Sequence, residues 1–267
     1  MKLKSITKIA LISACISALL SCAQSPTGRN QLKLFSSAQL ANMGTQAFDS
    51  MKAEQDVSKK PVQNQFVSCV AQYITAQVPK TVYDGEWEVV VFDDDQVNAF
   101  ALPGGKIGVY TGLLKVAENQ HQLAAVMGHE VAHVIAEHGN ERMSNSALIG
   151  IGMDVANSVM ESNQVANNQM LMAAIGLGVQ VGVQLPFSRT HETEADIIGL
   201  ELMAKAGFKP EESVKLWQNM DKASGGNRQP EFLSTHPLPQ NRIQKLRSHM
   251  GVANQFARQS SAKPNCS

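Results

Sequence analysis

Two histidines four residues apart, His129 and His133, bracket Glu130 in the run His129-Glu130-Val131-Ala132-His133. On a helix such a pair lies about 40° apart around the axis, on adjacent turns. Both imidazoles can then converge on one ion, and imidazole nitrogen suits tetrahedral Zn2+. Glu130 falls at the edge of the same site, placed to take a proton from water. The plainer alternative is a helix with two surface histidines and a glutamate. Val126, Met127, Val131 and Val134 surround the pair, so the helix is expected to be largely buried, and buried imidazoles need partners.

Two histidines leave a catalytic site incomplete, because a third protein ligand is needed beside the position kept for water. The downstream candidates are His138, His191, Glu192, Glu194 and His236. Glu192 and Asp196 are also four apart and share a helix face. Glu192 could bind the ion while Asp196 holds a ligand histidine from behind. The alternative is a solvated polar face in a charged stretch.

The elements that must position these residues follow from apolar spacing. The pattern predicts helices over Ser37–Lys52, Val62–Val78, Glu118–His138, Thr190–Ala206 and Glu211–Lys222, and a turn and helix within Pro237–Met250. Trp87–Phe92 is β-branched and aromatic and reads as a strand. Asn98–Tyr110 is extended but broken by Pro103-Gly104-Gly105, which fits a hairpin or an edge strand rather than a central one. Residues 146–186 are rich in Ala, Gly, Met and Val, yet contain no uninterrupted run of 18 apolar residues, so buried helices are expected there rather than membrane spans.

The chain has 267 residues, of which 43% are apolar, enough for one domain with a true core. Its 23 basic and 23 acidic residues balance, which gives no footing for a nucleic-acid partner. The first 21 residues read as an export signal. Lys2, Lys4 and Lys8 precede an apolar run from Ile9 to Leu20, ending at Leu19-Leu20-Ser21-Cys22. That junction resembles a bacterial lipobox, whose Cys is lipidated and becomes the mature N-terminus. The alternative is an ordinary signal peptide. Ala23 follows the Cys where an inner-membrane lipoprotein would carry Asp, which points by resemblance to the outer membrane. The mature chain would carry 20 basic and 23 acidic residues, a net charge of −3. Residues 22–36 are expected as a polar linker, 37–255 as the domain and 256–267 as a tail. Cys69 and Cys266 would remain as one pair, which an oxidising compartment permits to bond.

A family resemblance adds to this reading. Gln122-Leu123-Ala124-Ala125-Val126-Met127-Gly128 leads into the histidine pair. Ser188-Arg189-Thr190-His191-Glu192-Thr193-Glu194-Ala195-Asp196 follows, then Ser234-Thr235-His236-Pro237 and Asn241-Arg242-Ile243. Upstream lies Asn98-Ala99-Phe100-Ala101-Leu102-Pro103-Gly104-Gly105. This ordered set, over about residues 85–250, resembles the membrane-associated zinc peptidases of family M48, in particular their short periplasmic lipoprotein members that lack a tetratricopeptide tail. The resemblance implies a mostly helical α+β fold, zincin-like of the gluzincin kind, with a small sheet or hairpin beside the histidine helix. It implies one Zn2+ per chain on His129, His133 and Glu192, Glu130 as general base, and Asp196 behind a ligand. The family's late histidine and arginine fall on His236 and Arg242. His236 could stabilise an oxyanion or close the metal as a fourth ligand, and Arg242 could share that charge or serve as an ion-pair partner.

The expectation is therefore a zinc metalloendopeptidase on the periplasmic side of the outer membrane, lipid-anchored through Cys22 and acting in quality control on unfolded or extended proteins. Outer-membrane assembly machinery is a further expected partner. The competing expectation is an envelope chaperone or assembly factor whose zinc is structural or gated.

Overall fold

The computed structural model describes residues 23–148, 188–224, 231–236 and 242–266. The reading of residues 1–22 as a signal falls outside this range, as does most of the apolar stretch 146–186. Among the described residues, no helix is long and apolar enough to cross a membrane.

Helix α1 (Ser37–Glu54) starts at a capping box, in which Ser36 and Gln39 exchange side-chain and backbone bonds. Its apolar stripe of Leu40, Ala47, Phe48 and Met51 turns inward. Helix α2 (Pro61–Thr75) opens on a proline in its first turn and buries Val67, Val70, Ala71 and Ile74. It ends at Thr75, short of the expected Val78.

Two short strands, β1 (Ala23–Gln24) and β2 (Asn30–Gln31), pair near the start of the chain. The main sheet has three strands: β3 (Glu88–Phe92), β4 (Ala99–Leu102) and β5 (Lys106–Tyr110), in the order β3-β5-β4. The expected hairpin is β4–β5, turned through Gly104 and Gly105, both at positive φ. Of the two hairpin strands, only β4 lies at an edge. Strand β5 is central, parallel to β3 and antiparallel to β4. The proline and glycines that suggested an edge sit in the turn, so they leave the β5 ladder intact.

Alternation along the strands separates two cores. Val91, Ala99, Ile107 and Val109 join α2 and the histidine helix in the larger one. Phe92, Phe100, Leu102 and Tyr110 face α1, with the Phe92 and Tyr110 rings stacked at 5.3 Å.

Helix α3 (Gln120–Ile135) carries the histidine pair. Asn119 caps it by accepting from the His121 and Gln122 N–H groups. Every residue from Gln122 to His133 is buried. The helix stops before the expected His138, because Glu137 takes a φ of 50° and residues 138–148 begin a new helical stretch. Helix α4 (Arg189–Lys205) is capped by Ser188 and crosses α3 closely. A Cβ on Gly199 would come within 2.7 Å of the His129 amide nitrogen, and one on Gly128 within 2.8 Å of the Gly199 carbonyl. Two glycines at the crossing let the backbones meet.

Helices α5 (Glu212–Ser224), α6 (Glu231–Thr235) and α7 (Arg242–Gln259) complete the described fold. Helix α7 runs nine residues past the expected Met250, through the boundary drawn at residue 255. Cys69 and Cys266 are disulfide-bonded, 197 residues apart in sequence. The resulting architecture is α+β and mostly helical, with the small sheet beside α3.

Candidate metal centre

Helix α3 presents His129 and His133, α4 presents Glu192, and His236 arrives at the end of α6. All four are buried, and one donor atom from each lies within 4.8 Å of the others. His129 Nε2 is 3.1 Å from His133 Nε2 and 3.3 Å from His236 Nδ1. Glu192 Oε1 is 3.4 Å from His133 Nε2 and 3.0 Å from His236 Nδ1, and Glu192 Oε2 is 3.5 Å from His129 Nε2. A tetrahedral zinc with bonds of about 2.0–2.1 Å holds its ligand atoms roughly 3.3 Å apart. The donor set therefore fits such an ion in spacing and in chemistry: three imidazoles and one carboxylate, all buried.

Glu130 lies beside this group. Its Oε1 is buried and accepts no hydrogen bond from the described residues, with His236 Nε2 standing 3.4 Å away. Burial pushes its carboxyl above the usual range. Glu192 moves the other way. Burial alone would raise it, but His236, His129 and His133 hold it far below the carboxylate range.

Behind His129, Asp196 Oδ1 is 3.2 Å from Nδ1. Arg242 donates to both Asp196 oxygens, at 2.6 and 2.8 Å. Its Nη1 stands 2.9 Å from Glu192 Oε2 as a charge contact without hydrogen-bond alignment. The guanidinium carbon also lies over Trp217, 3.6 Å from the ring centre. Arg242 is 2% exposed, so it faces Asp196 and Trp217 rather than an open cleft. Burial and Arg242 both lower the His129 pKa, but Asp196 and Glu192 outweigh them and raise it to about 9. Burial depresses His133 well below the ordinary imidazole value.

His138, His191 and Glu194, the other ligand candidates, do not join the cluster. His138 Nδ1 lies 2.9 Å from His133 Nδ1, and its Nε2 is 3.0 Å from Glu194 Oε2. His191 stacks on His138 at 4.4 Å and reaches Glu141 at 3.2 Å. The His133–His138 contact was unmarked in the sequence, where five-residue spacing within one helix would have turned the rings apart. The break at Glu137 brings them together.

The expected linker also touches this region. Arg29 donates to both Glu141 oxygens at 2.7 Å and to Glu194 Oε2 at 3.1 Å. Thr27 donates to Glu194 Oε1. Gln31 donates to the Ala136 carbonyl at 2.6 Å.

A cleft of about 150 Å3 opens beside His133, lined in part by Ala101, Leu102, Pro103, Tyr83 and Arg142. One wall is thus β4, whose outer edge has no partner strand among the described residues.

A histidine pair on one helix, a glutamate from the helix crossing it and an edge strand alongside define a zincin-like metal centre. Comparison with known proteins agrees: the profile described as Peptidase family M48 matches residues 58–250, and the chain belongs to that family. Mitochondrial metalloendopeptidase OMA1 of Saccharomyces cerevisiae is 35% identical over 208 residues, covering 74% of this chain and 58% of the relative. Its namesake in Schizosaccharomyces pombe is 38% identical over 164 residues, 61% of this chain and 46% of the relative. The beta-barrel assembly-enhancing protease of Escherichia coli K12 is 31% identical over 179 residues, 64% of this chain and 36% of the relative. The chain spans 36% to 58% of the length of these curated relatives. Zinc is the metal of this family.

Proposed function

We propose that the protein is a zinc metalloendopeptidase, with His129, His133 and Glu192 as metal ligands and Glu130 as general base. The observation that carries this is the buried cluster of four donor atoms, all within 4.8 Å of one another, with Glu130 beside it and its Oε1 accepting no hydrogen bond among the described residues. Bound zinc supplies Lewis acidity, polarising the scissile carbonyl and acidifying water. Glu130 takes the proton from the attacking water and passes it to the leaving amine. Asp196 orients His129, and Arg242 holds Asp196. The geometry supports this ion-pair role for Arg242 over direct contact with a substrate. The outer edge of β4 offers backbone groups to an extended chain, which gives affinity with little sequence demand.

His236 carries a second reading of the resting state. Its Nδ1 stands with the other three donors, and a four-ligand closed set is typical of zinc sites without an open position. In this reading His236 gates the enzyme and must withdraw before water and substrate enter, when it becomes available to stabilise an oxyanion. The same closed set is what an envelope chaperone or assembly factor with structural zinc would show. Glu130 argues for the peptidase, since a structural site needs no base.

The physiological setting belongs to the same proposal: an envelope protein anchored by lipid on Cys22 at the periplasmic side of the outer membrane, clearing unfolded or unassembled proteins. The name of the Escherichia coli relative, which ties that protein to β-barrel assembly, supports such a link.

Glu130→Gln is the test. It should keep about one zinc per chain and lower hydrolysis of unfolded casein by about 10^2–10^4-fold. Equal hydrolysis by mutant and wild type would refute the peptidase. Well under about one equivalent of zinc in the wild type, not restored by added zinc, would refute the metal site.

A further inference from the structure

The geometry points to a second set of positioning residues: we propose that His138, Glu194 and Arg29 form a hydrogen-bonded relay that fixes the ring of His133, making the segment 25–31 part of the metal site. This rests on the assignment of His133 as a zinc ligand.

The direction of the relay follows from the atoms. His133 turns Nε2 toward the donor cluster, 3.1 Å from His129 Nε2 and 3.4 Å from Glu192 Oε1. A nitrogen offering its lone pair to a cation leaves the ring proton on the other nitrogen. His133 Nδ1–H therefore donates to His138 Nδ1 at 2.9 Å. His138, accepting there, carries its own proton on Nε2 and donates it to Glu194 Oε2 at 3.0 Å. Glu194 in turn accepts from Arg29 Nε and Nη2, both at 3.1 Å, and from the Thr27 hydroxyl. Every link has one donor and one acceptor, so each ring has one allowed tautomer.

The relay is buried where it must hold a geometry. His138 is fully buried and Glu194 is 4% exposed. A buried carboxylate beside a neutral imidazole is costly without a cation. Arg29 is the cation, and it also grips Glu141 through two parallel bonds. Arg29 lies 165 residues from Glu194 in sequence, so this contact holds only while residues 25–31 stay docked. Ser25 and Arg29 close that segment on itself through a 2.7 Å backbone bond, and Gln31 pins its end to Ala136.

Outer partners of metal-bound histidines change metal affinity by about 10–100-fold when removed. His138→Phe keeps a ring between His133 and His191 and removes the acceptor. The full chain carrying it should bind zinc about 10–100-fold more weakly in a chelator competition. Arg29→Met acts two links further out. It should weaken zinc less than His138→Phe does, and speed amide exchange over residues 25–31. Combining the two tests whether they act in series: Arg29→Met should add nothing to the zinc loss of His138→Phe. A folded His138→Phe chain with wild-type zinc affinity overturns the relay. So do effects on zinc affinity that add, because two independent structural defects would add. If His138→Phe does not fold, Glu194→Gln takes its place in the same cycle with the same criteria. His133→Ala is the control. If it binds zinc as tightly as wild type, the ligand assignment has failed; if it loses zinc while the cycle adds, the relay alone has failed.

Discussion

His129 and His133 occupy adjacent turns of one helix, yet they are held from behind by different means. His129 is backed directly by Asp196, itself clamped by Arg242, and all three are buried within the α3–α4–α7 packing. His133 is backed by an imidazole, then a carboxylate, and only then by Arg29, whose side chain is 24% exposed. One support belongs to the core and cannot leave without unfolding. The other ends on a short peripheral segment held by charge and a few hydrogen bonds. A histidine pair that looks symmetric along the helix thus has a rigid member and a conditional one.

That contrast can be broken in graded steps. The largest effect should come from Arg242→Met, which removes the buried cation facing Asp196 and Glu192 and leaves both carboxylates with histidine partners only. A loss of about 3–5 kcal/mol is expected in urea unfolding of the zinc-free chain. A loss under about 1 kcal/mol would remove the claimed rigidity of the His129 side. Gly199→Ala comes next. Its new methyl meets the His129 amide nitrogen at 2.7 Å, forcing α3 and α4 apart at a cost of about 1–3 kcal/mol. Because the crossing sets both supports, zinc affinity should fall as well. Unchanged thermal stability would mean the crossing can slacken freely.

The remaining tests probe the conditional side. Arg29→Met should cost less than Arg242→Met in global unfolding, about 1–2 kcal/mol, because undocking of residues 25–31 lets water reach the Glu194 carboxylate it leaves behind. A cost equal to that of Arg242→Met would erase the difference between the two supports. The smallest signal is in pH. Burial raises the Glu141 carboxyl, but hydrogen bonding to Arg29 wins and holds it below its ordinary value. Arg29, His191 and Gln31 face this carboxylate. A depressed folded pKa contributes stability that is full above the unfolded value of about 4.3 and lost as pH falls through the lower folded value. Protection of the 25–31 amides should therefore decline in that acid window. Glu141→Gln should show weaker protection and a shallower decline, since Glu194 still accepts from Arg29 and is itself held low. A wild-type profile no steeper than that of Glu141→Gln would show that this pair does not hold the segment.

The difference also explains which parts could be read from the sequence. The histidine helix was legible because its motif and its apolar period lie within one turn or two. The Glu192–Asp196 spacing pointed to one helix face, and the structure has Asp196 behind His129. His236 was one downstream candidate among five until the family resemblance singled it out, because no local pattern links it to a helix 107 residues upstream. The centrality of β5 was hidden by glycines and a proline that serve the turn. Residues 23–35 read as a linker because they are polar and lack any period. Their order comes from Arg29 meeting Glu141 and Glu194, contacts with no signature near Arg29 itself. His138 was legible as a candidate ligand and not as a support, since only the backbone break at Glu137 turns it toward His133.

The Cys69–Cys266 bond gives the molecule a property beyond holding its end in place. It closes a covalent ring that contains His129, Glu130, His133, Glu192 and His236. A single backbone cut anywhere between those cysteines, self-inflicted or not, leaves both pieces joined. Such a nick would be invisible on a non-reducing gel and appear as two bands only after reduction. If the chain hydrolyses proteins as proposed, it can in this way carry a broken peptide bond and still keep every proposed ligand in one molecule.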